Sequence, residues 1–352
     1  MKFLRTIVLP FGFLAALFMT ACDNSLDING DYIEKKVVWC LLDAGLDTNF
    51  IRINRSFLDE NSSAFYLASD PDNLYYEKNA LEVYLEEWNA GMFKKRIEVD
   101  YVDGDSLGII KDDGIFASSP NILYRLISRL DTFATYKLFI VDVAAHDTIT
   151  SETNLVQSFY AFYPTKTGIH IDYTDTSKIT YICHTAVNGK LYELWMHFNY
   201  WEVNNISGDS VMKTIQWQIF ENMEADNING SGNISYSLNR NSFFNFLAGE
   251  IEPDPDVHRI YGSLDFYWYA GGIEIYNQYL NILANLGINE EYISPEYTNI
   301  NGGLGIFSSR YILKIPGVLL SNETIDTIAC GDVTAGLGFY SSPASLFYPG
   351  CE

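Results

Sequence analysis

Leu191-Tyr192-Glu193-Leu194-Trp195-Met196-His197-Phe198-Asn199-Tyr200-Trp201-Glu202-Val203 alternates between two kinds of side chain. Successive residues of a strand point to opposite faces of a sheet. Tyr192, Leu194, Met196, Phe198 and Tyr200 therefore read as a core-facing row, and Glu193, Trp195, His197, Asn199 and Trp201 as the other face. The same period of two recurs through most of the chain, with β-branched and aromatic enrichment and turns marked by Gly, Asn and Asp. It predicts a mainly β protein.

Before this strand, 35–42, 50–53, 80–85, 96–101, 122–130 and 136–143 carry the same signal, and together they predict an immunoglobulin-like β-sandwich over 31–150. The polar, threonine-rich stretch 146–153 reads as a junction. Residues 151–352 read as a second β-rich domain, with strands at 179–186, 191–203, 211–220, 233–238 and 258–270. Val187-Asn188-Gly189-Lys190 predicts a hairpin turn. Two small helical insertions are expected, at 242–250 with Ser242 as its cap and at 273–286 stopping at Gly287.

The first residues set an address. Lys2 and Arg5, the apolar run 7–19 and then Thr20-Ala21-Cys22 predict a signal peptide over 1–21. Pro10 and Gly12 interrupt the run, and it is too short for a membrane-spanning helix. The junction resembles the bacterial lipobox, with Met19 where leucine is usual. That resemblance implies a diacylated Cys22, a lipidated tether over 22–30 and a stable hold on a membrane through the acyl chains.

Composition bounds the body. In 352 residues, 48% hydrophobic and 15% aromatic, there is enough apolar material for one large core or two ordinary ones. A net charge of −23 repels phosphate backbones, so nucleic acid is not an expected partner. With Cys22 assigned to lipid, Cys40, Cys183, Cys330 and Cys351 can pair in three ways. The pair Cys330 and Cys351 flanks a Gly-, Ser- and Pro-rich loop and is the favoured disulfide, leaving Cys40 and Cys183 as buried thiols in strands.

Few motifs carry chemistry. Gly104-Asp105-Ser106-Leu107 spells the nucleophile block of the G-D-S-L esterases, but it stands late in a β domain among turn residues, and Asp256 and His258 lie two apart where that family has three. It reads as a turn. The five histidines are isolated and no spacing suits a metal, so neither metal nor cofactor is expected. Asp105-Ser106-Leu107, Asp147-Thr148-Ile149, Asp209-Ser210-Val211 and Asp326-Thr327-Ile328, read as turns, resemble the O-glycosylation acceptor of Bacteroidota. The most suggestive surface is the polar face of 191–203. Glu193, Trp195, His197 and Trp201, extended by Asp265, Tyr267 and Tyr269 of a neighbouring strand, would suit stacking on a sugar ring or lining a cleft. Glu193 and Asp265 at the right separation would form the acid and base of a glycosidase.

The C-terminal third adds a resemblance. Leu264-Asp265-Phe266-Tyr267-Trp268-Tyr269, then Ile275-Tyr276-Asn277-Gln278-Tyr279-Leu280, then Tyr297-Thr298-Asn299-Ile300-Asn301-Gly302-Gly303-Leu304-Gly305-Ile306-Phe307 stand in an order that resembles Bacteroidota lipoproteins known only as a domain of unknown function. Those end in a serine-asparagine-isoleucine, glycine-rich, phenylalanine signature, and Thr298 stands where serine is usual. The resemblance implies an outer-membrane lipoprotein on the periplasmic or cell-surface face, working beside a TonB-dependent transporter, and it assigns no catalytic residue. Physically, the glycines of 301–305 mark backbone that turns where a Cβ would obstruct it or that approaches another backbone closely.

The expected function is therefore a lipid-anchored, non-catalytic envelope protein that binds a glycan, another ligand or a partner protein. The alternatives are a fimbrial-type structural or adhesive subunit, which needs an exchangeable edge strand, and a glycan hydrolase.

Overall fold

Alternation of apolar and polar residues builds fifteen strands among the described residues, and the pairing of strands far apart in sequence arranges them. The computed structural model describes residues 33–58, 62–165, 170–174, 178–286 and 296–341. The expected signal peptide, Cys22 with its tether, Gly287 and Cys351 lie outside the described residues. In chain order come β1 (Lys36–Asp43), β2 (Thr48–Arg55), two short helices α1 (Ala64–Ala68) and α2 (Pro71–Leu74), β3 (Leu81–Asn89), β4 (Met92–Glu98), β5 (Asp100–Asp103), β6 (Ile122–Ile127), β7 (Thr135–Asp142) and β8 (Asp147–Asn154). There follow β9 (Ala161–Tyr163), β10 (Lys178–His184), β11 (Leu191–Asn204), β12 (Ser210–Glu224), β13 (Asn233–Asn239), α3 (Asn241–Glu250), β14 (Val257–Gly271), α4 (Ile273–Leu286), β15 (Leu304–Val318) and α5 (Asn322–Cys330).

One eight-stranded sheet, ordered β12-β11-β14-β15-β1-β2-β6-β5, runs through the molecule, with a four-stranded sheet β4-β3-β7-β8 and a three-stranded sheet β13-β10-β9 beside it. The protein is mainly β and sandwich-like. Two cores form. Val38, Ile51 and Phe307 of the large sheet meet Leu85, Leu138 and Ile140 of the four-stranded sheet. Met196, Phe198 and Trp268 meet Tyr181 and Ile234 of the three-stranded sheet, with Phe243 of α3 and Ile328 of α5 closing the layer. On β15, Phe307 enters the first core while Tyr311 and Leu313 pack against the second. These odd-numbered positions share one side of a strand, so both cores lie under the same face of the large sheet.

The first core is drawn mostly from 31–150 and the second from 151–352, and strands from both stretches share the large sheet. Lys35–Glu352 clusters as one compact unit, because β1 pairs in parallel with β15, Val38 opposite Gly305 and Phe307 opposite Cys40. Alternation reveals each strand but not a partner so remote in sequence. The turn at Val187-Asn188-Gly189-Lys190 is also not a hairpin. Asn188 takes a positive φ of 64°, yet the turn passes the chain from β10 in the small sheet to β11 in the large one. Ser242 does not cap its helix. Asn239 does the work, its Oδ1 accepting from the Asn241 N–H at 2.9 Å. Gly104 to Leu107 forms a turn, with a 3-10 segment at Asp105–Leu107. Thr327 lies inside α5, Thr148 in β8 and Ser210 at the start of β12, so these three are not in turns.

The glycine-rich signature is explained by packing. Gly305 has φ +96°, and a Cβ there would collide with the Val38 carbonyl oxygen across the parallel pair. Next to it the side chains of Thr298 and Asn299 stand in for a missing strand. The Asn299 Nδ2 donates to the Phe307 carbonyl at 2.7 Å and its Oδ1 accepts from the Phe307 N–H at 3.0 Å. The Thr298 hydroxyl donates to the Gly305 carbonyl at 2.9 Å. A serine at 298 would offer the same hydroxyl, so the departure from the signature is chemically neutral. These bonds satisfy backbone groups that would otherwise be left unpaired beside the core.

Cys40 and Cys183 are free and buried. Burial raises the pKa of both thiols, Cys183 to about 12, so neither is a thiolate nucleophile at neutral pH. Cys330 is disulfide-bonded.

Candidate functional site

The face of the large sheet turned away from the cores carries the polar rows of its strands. On β11, Tyr192, Leu194, Met196, Phe198 and Tyr200 are buried, while Glu193, Trp195, His197 and Asn199 are half-buried and Trp201 is exposed. α4 packs across this face against β15 and β11. Its first turn is fixed by the Ser308 hydroxyl, which donates to Glu274 Oε2 at 2.6 Å. This sets Ile275 over the sheet and leaves hollows on either side of it.

The first hollow, of about 540 Å³, is lined by Glu193, Trp195, His197, Gln216, Tyr269 and Arg310, with Ile275, Leu41 and the bare backbone of Gly271 among its remaining walls. The second, of about 570 Å³, shares Leu41, Ile275 and Arg310 with the first and continues to Trp39, Phe50 and Arg52. A third, of about 430 Å³, shares Trp39 and Arg52 with the second and reaches Arg55 and Lys111. The three adjoin through these shared side chains and form a row of lobes, a cleft in outline, across the sheet.

Within the first lobe the indole N–H of Trp195 donates to Glu193 Oε2 at 3.3 Å, which fixes the plane of the ring. Burial pulls the His197 pKa down, against the upward push of the Asp265 charge. The ring is therefore neutral at neutral pH and offers one donor and one acceptor. Tyr267, level with Trp195 in the β11–β14 register, packs on His197 with ring centroids 4.4 Å apart and backs the lobe rather than lining it.

One of the expected residues has another duty and one lies elsewhere. Asp265 spends both oxygens on the fold: Oδ1 accepts from the Gly317 N–H at 2.7 Å and Oδ2 from Asn199 Nδ2 at 3.0 Å. Glu193 is level with Tyr269 and Asp265 with His197, so the two carboxylates are offset by four residues, roughly 14 Å along the strands. Paired glycosidase carboxyls stand roughly 5–9.5 Å apart. Trp201, 39% exposed, lies six residues beyond Trp195, roughly 20 Å away, level with Met212 and Ile260 at the far end of the face. Sequence reasoning thus brought Glu193, Trp195 and His197 together and missed Gln216 and Arg310.

Arg310 is the distinctive group. Among the described residues its side chain makes no hydrogen bond or ion pair, and its Nε is buried without a partner. Asp43, level with it on β1, turns its Oδ1 to the Gly45 N–H at 2.8 Å, and burial raises that carboxyl's pKa against the downward pull of the Gly45 bond and of the Arg310 and Lys314 charges, so Asp43 and Arg310 feel each other without pairing. The signal that would have found Arg310 is its place among the outward, even-numbered residues of β15, with Ile312 and Lys314.

No family model and no curated protein matches the chain. Among solved structures, the C-terminal globular domain of oligosaccharyltransferase from Pyrococcus abyssi is similar over 64% of this chain, at 9% identity and a TM-score of 0.23, and this chain covers 43% of that one. A cytokine receptor complex is similar over 81% of this chain and 99% of its own, at 7% identity and a TM-score of 0.20.

Proposed function

We propose that this is an envelope lipoprotein, anchored through Cys22 in the outer membrane, that binds a saccharide in the cleft across its large sheet and serves a TonB-dependent transporter as a non-catalytic accessory. The observation that carries the reading is the first lobe, where a flat indole held by Glu193 faces His197, Gln216 and Arg310. Carbohydrate sites need this pairing of an aromatic plane for the sugar's C–H face with polar groups for its hydroxyls. Binding without catalysis is favoured because Asp265 is saturated by the fold and distant from Glu193.

A structural subunit is the second reading, favoured by β12. It is a 15-residue strand at the edge of the large sheet, with an open edge of the kind that accepts a strand from another chain. By contrast the edge strand β4 is defended by Lys94, Lys95 and Arg96. The two readings separate on native purification of the lipidated chain, followed by size-exclusion chromatography and mass spectrometry of what accompanies it. The expected result is a monomer that carries a saccharide or a TonB-dependent transporter. Recovery of self-oligomers alone would move the assignment to the structural subunit.

A further inference from the structure

Acidic residues outnumber basic ones 45 to 22 in this chain, yet the cleft reverses that balance. Arg52, Arg55, Lys111 and Arg310 line its three lobes, and Glu193 is the one carboxylate among the described lining residues. Glu193 is already engaged by Trp195. Arg52 donates to Asn121 Oδ1 at 2.7 Å and Lys111 to the Ala117 carbonyl at 2.9 Å, so both are held in place by neutral acceptors. Arg310 stands where the first two lobes meet.

Arg310 is half-buried, and its Nε gives up water without gaining a hydrogen-bond partner, which is unfavourable. The arrangement makes sense when an anion completes it. Arginine's planar fork suits the paired oxygens of a carboxylate or a sulfate. The ring planes beside it, Trp195 and Tyr269 in one lobe and Trp39 and Phe50 in the next, suit the sugar residues on either side.

Resting on the saccharide reading above, we infer that the cleft takes an anionic oligosaccharide, with one charged group on Arg310 and its neighbouring sugars on the flanking aromatic residues. The charge is that of a uronate carboxylate or a sulfate ester. The rest of the protein is acidic, so its field, screened over a Debye length of about 8 Å, does not steer such a ligand in from solution. Capture is therefore short-range, and added salt does not weaken it as it weakens binding to a basic surface.

The test is calorimetry on the full chain with tetragalacturonate, its methyl ester, unsulfated and sulfated chondroitin tetrasaccharides, cellotetraose and tetraglutamate. At least one anionic saccharide is expected to bind tenfold or more tightly than cellotetraose. If that ligand is tetragalacturonate, the ester loses the advantage. If only the sulfated chondroitin binds, sulfate is the charged group. Arg310→Gln removes the preference, and Arg310→Lys restores only part of it. The comparison of charged and neutral probes on the unaltered chain stands even if both variants fail to fold. Equal binding of charged and neutral saccharides overturns this inference and leaves the saccharide reading intact. Tighter binding of tetraglutamate than of every saccharide overturns the sugar assignment. Binding of no probe overturns the inference together with the reading it rests on.

Discussion

Gly305→Ala destabilises the chain by about 4 kcal/mol. Gly305 combines a φ of +96° with a Cβ position that collides with the Val38 carbonyl oxygen and lies 2.9 Å from the Val38 amide nitrogen. Backbone cannot swing aside as a side chain can, so relief requires opening the β1–β15 pair, the one link that joins the first four strands of the large sheet to the last four. A strained backbone conformation costs about 1–3 kcal/mol and overpacking a similar amount. A loss of about 4 kcal/mol is a large part of the roughly 5–15 kcal/mol that holds a protein of this kind. Gly317→Ala is the control, because Gly317 has φ +72° but open space where its Cβ would stand. It pays the conformational part alone, about 1–2 kcal/mol. Urea midpoints of the two variants check this. Equal losses would mean that the close approach to Val38 contributes nothing.

Trp195→Ala lowers affinity for the copurifying saccharide about thirtyfold, whereas Trp201→Ala changes it less than twofold. Losing a buried aromatic contact at the centre of a site removes about 2 kcal/mol, which is roughly that factor. Trp195 sits in the first lobe with its indole oriented by Glu193, while Trp201 lies at the other end of the strand, level with Met212 and Ile260. Trp195→Phe keeps a ring plane but not the bond to Glu193, and it falls between the two. Calorimetry on the three variants reads the affinities. A shifted unfolding midpoint with unchanged affinity in Trp195→Ala would make that indole a packing residue.

The strand 191–203 was legible because one face of it is buried and the other is not, which is the condition under which alternation shows. α4, Ile273–Leu286, was legible from apolar residues at helical spacing, although none of its residues is fully buried. The glycines of 301–305 announced a constraint, and the structure supplies its cause in Val38. Strand pairing was not legible. Nothing local in Lys36–Asp43 says that its partner is β15, and without that pairing the chain reads as two separate units. The site was half legible for the same reason. Glu193, Trp195 and His197 share one strand, whereas Arg310, Trp39 and Arg52 join them only through the sheet order. Asp265 looked available because a side chain's prior commitment to Gly317 and Asn199 has no sequence signal.

On the proposed function, the open face of the large sheet, at the Trp195 end, is where this protein meets its ligand. Hydroxyl-radical footprinting of the full chain, with and without the saccharide recovered with it, reads side-chain exposure at each aromatic residue directly. Protection of Trp195 and Tyr269 with no change at Trp201 and Met212 is the predicted result. Protection of Trp201 and Met212 with Trp195 unchanged would contradict it.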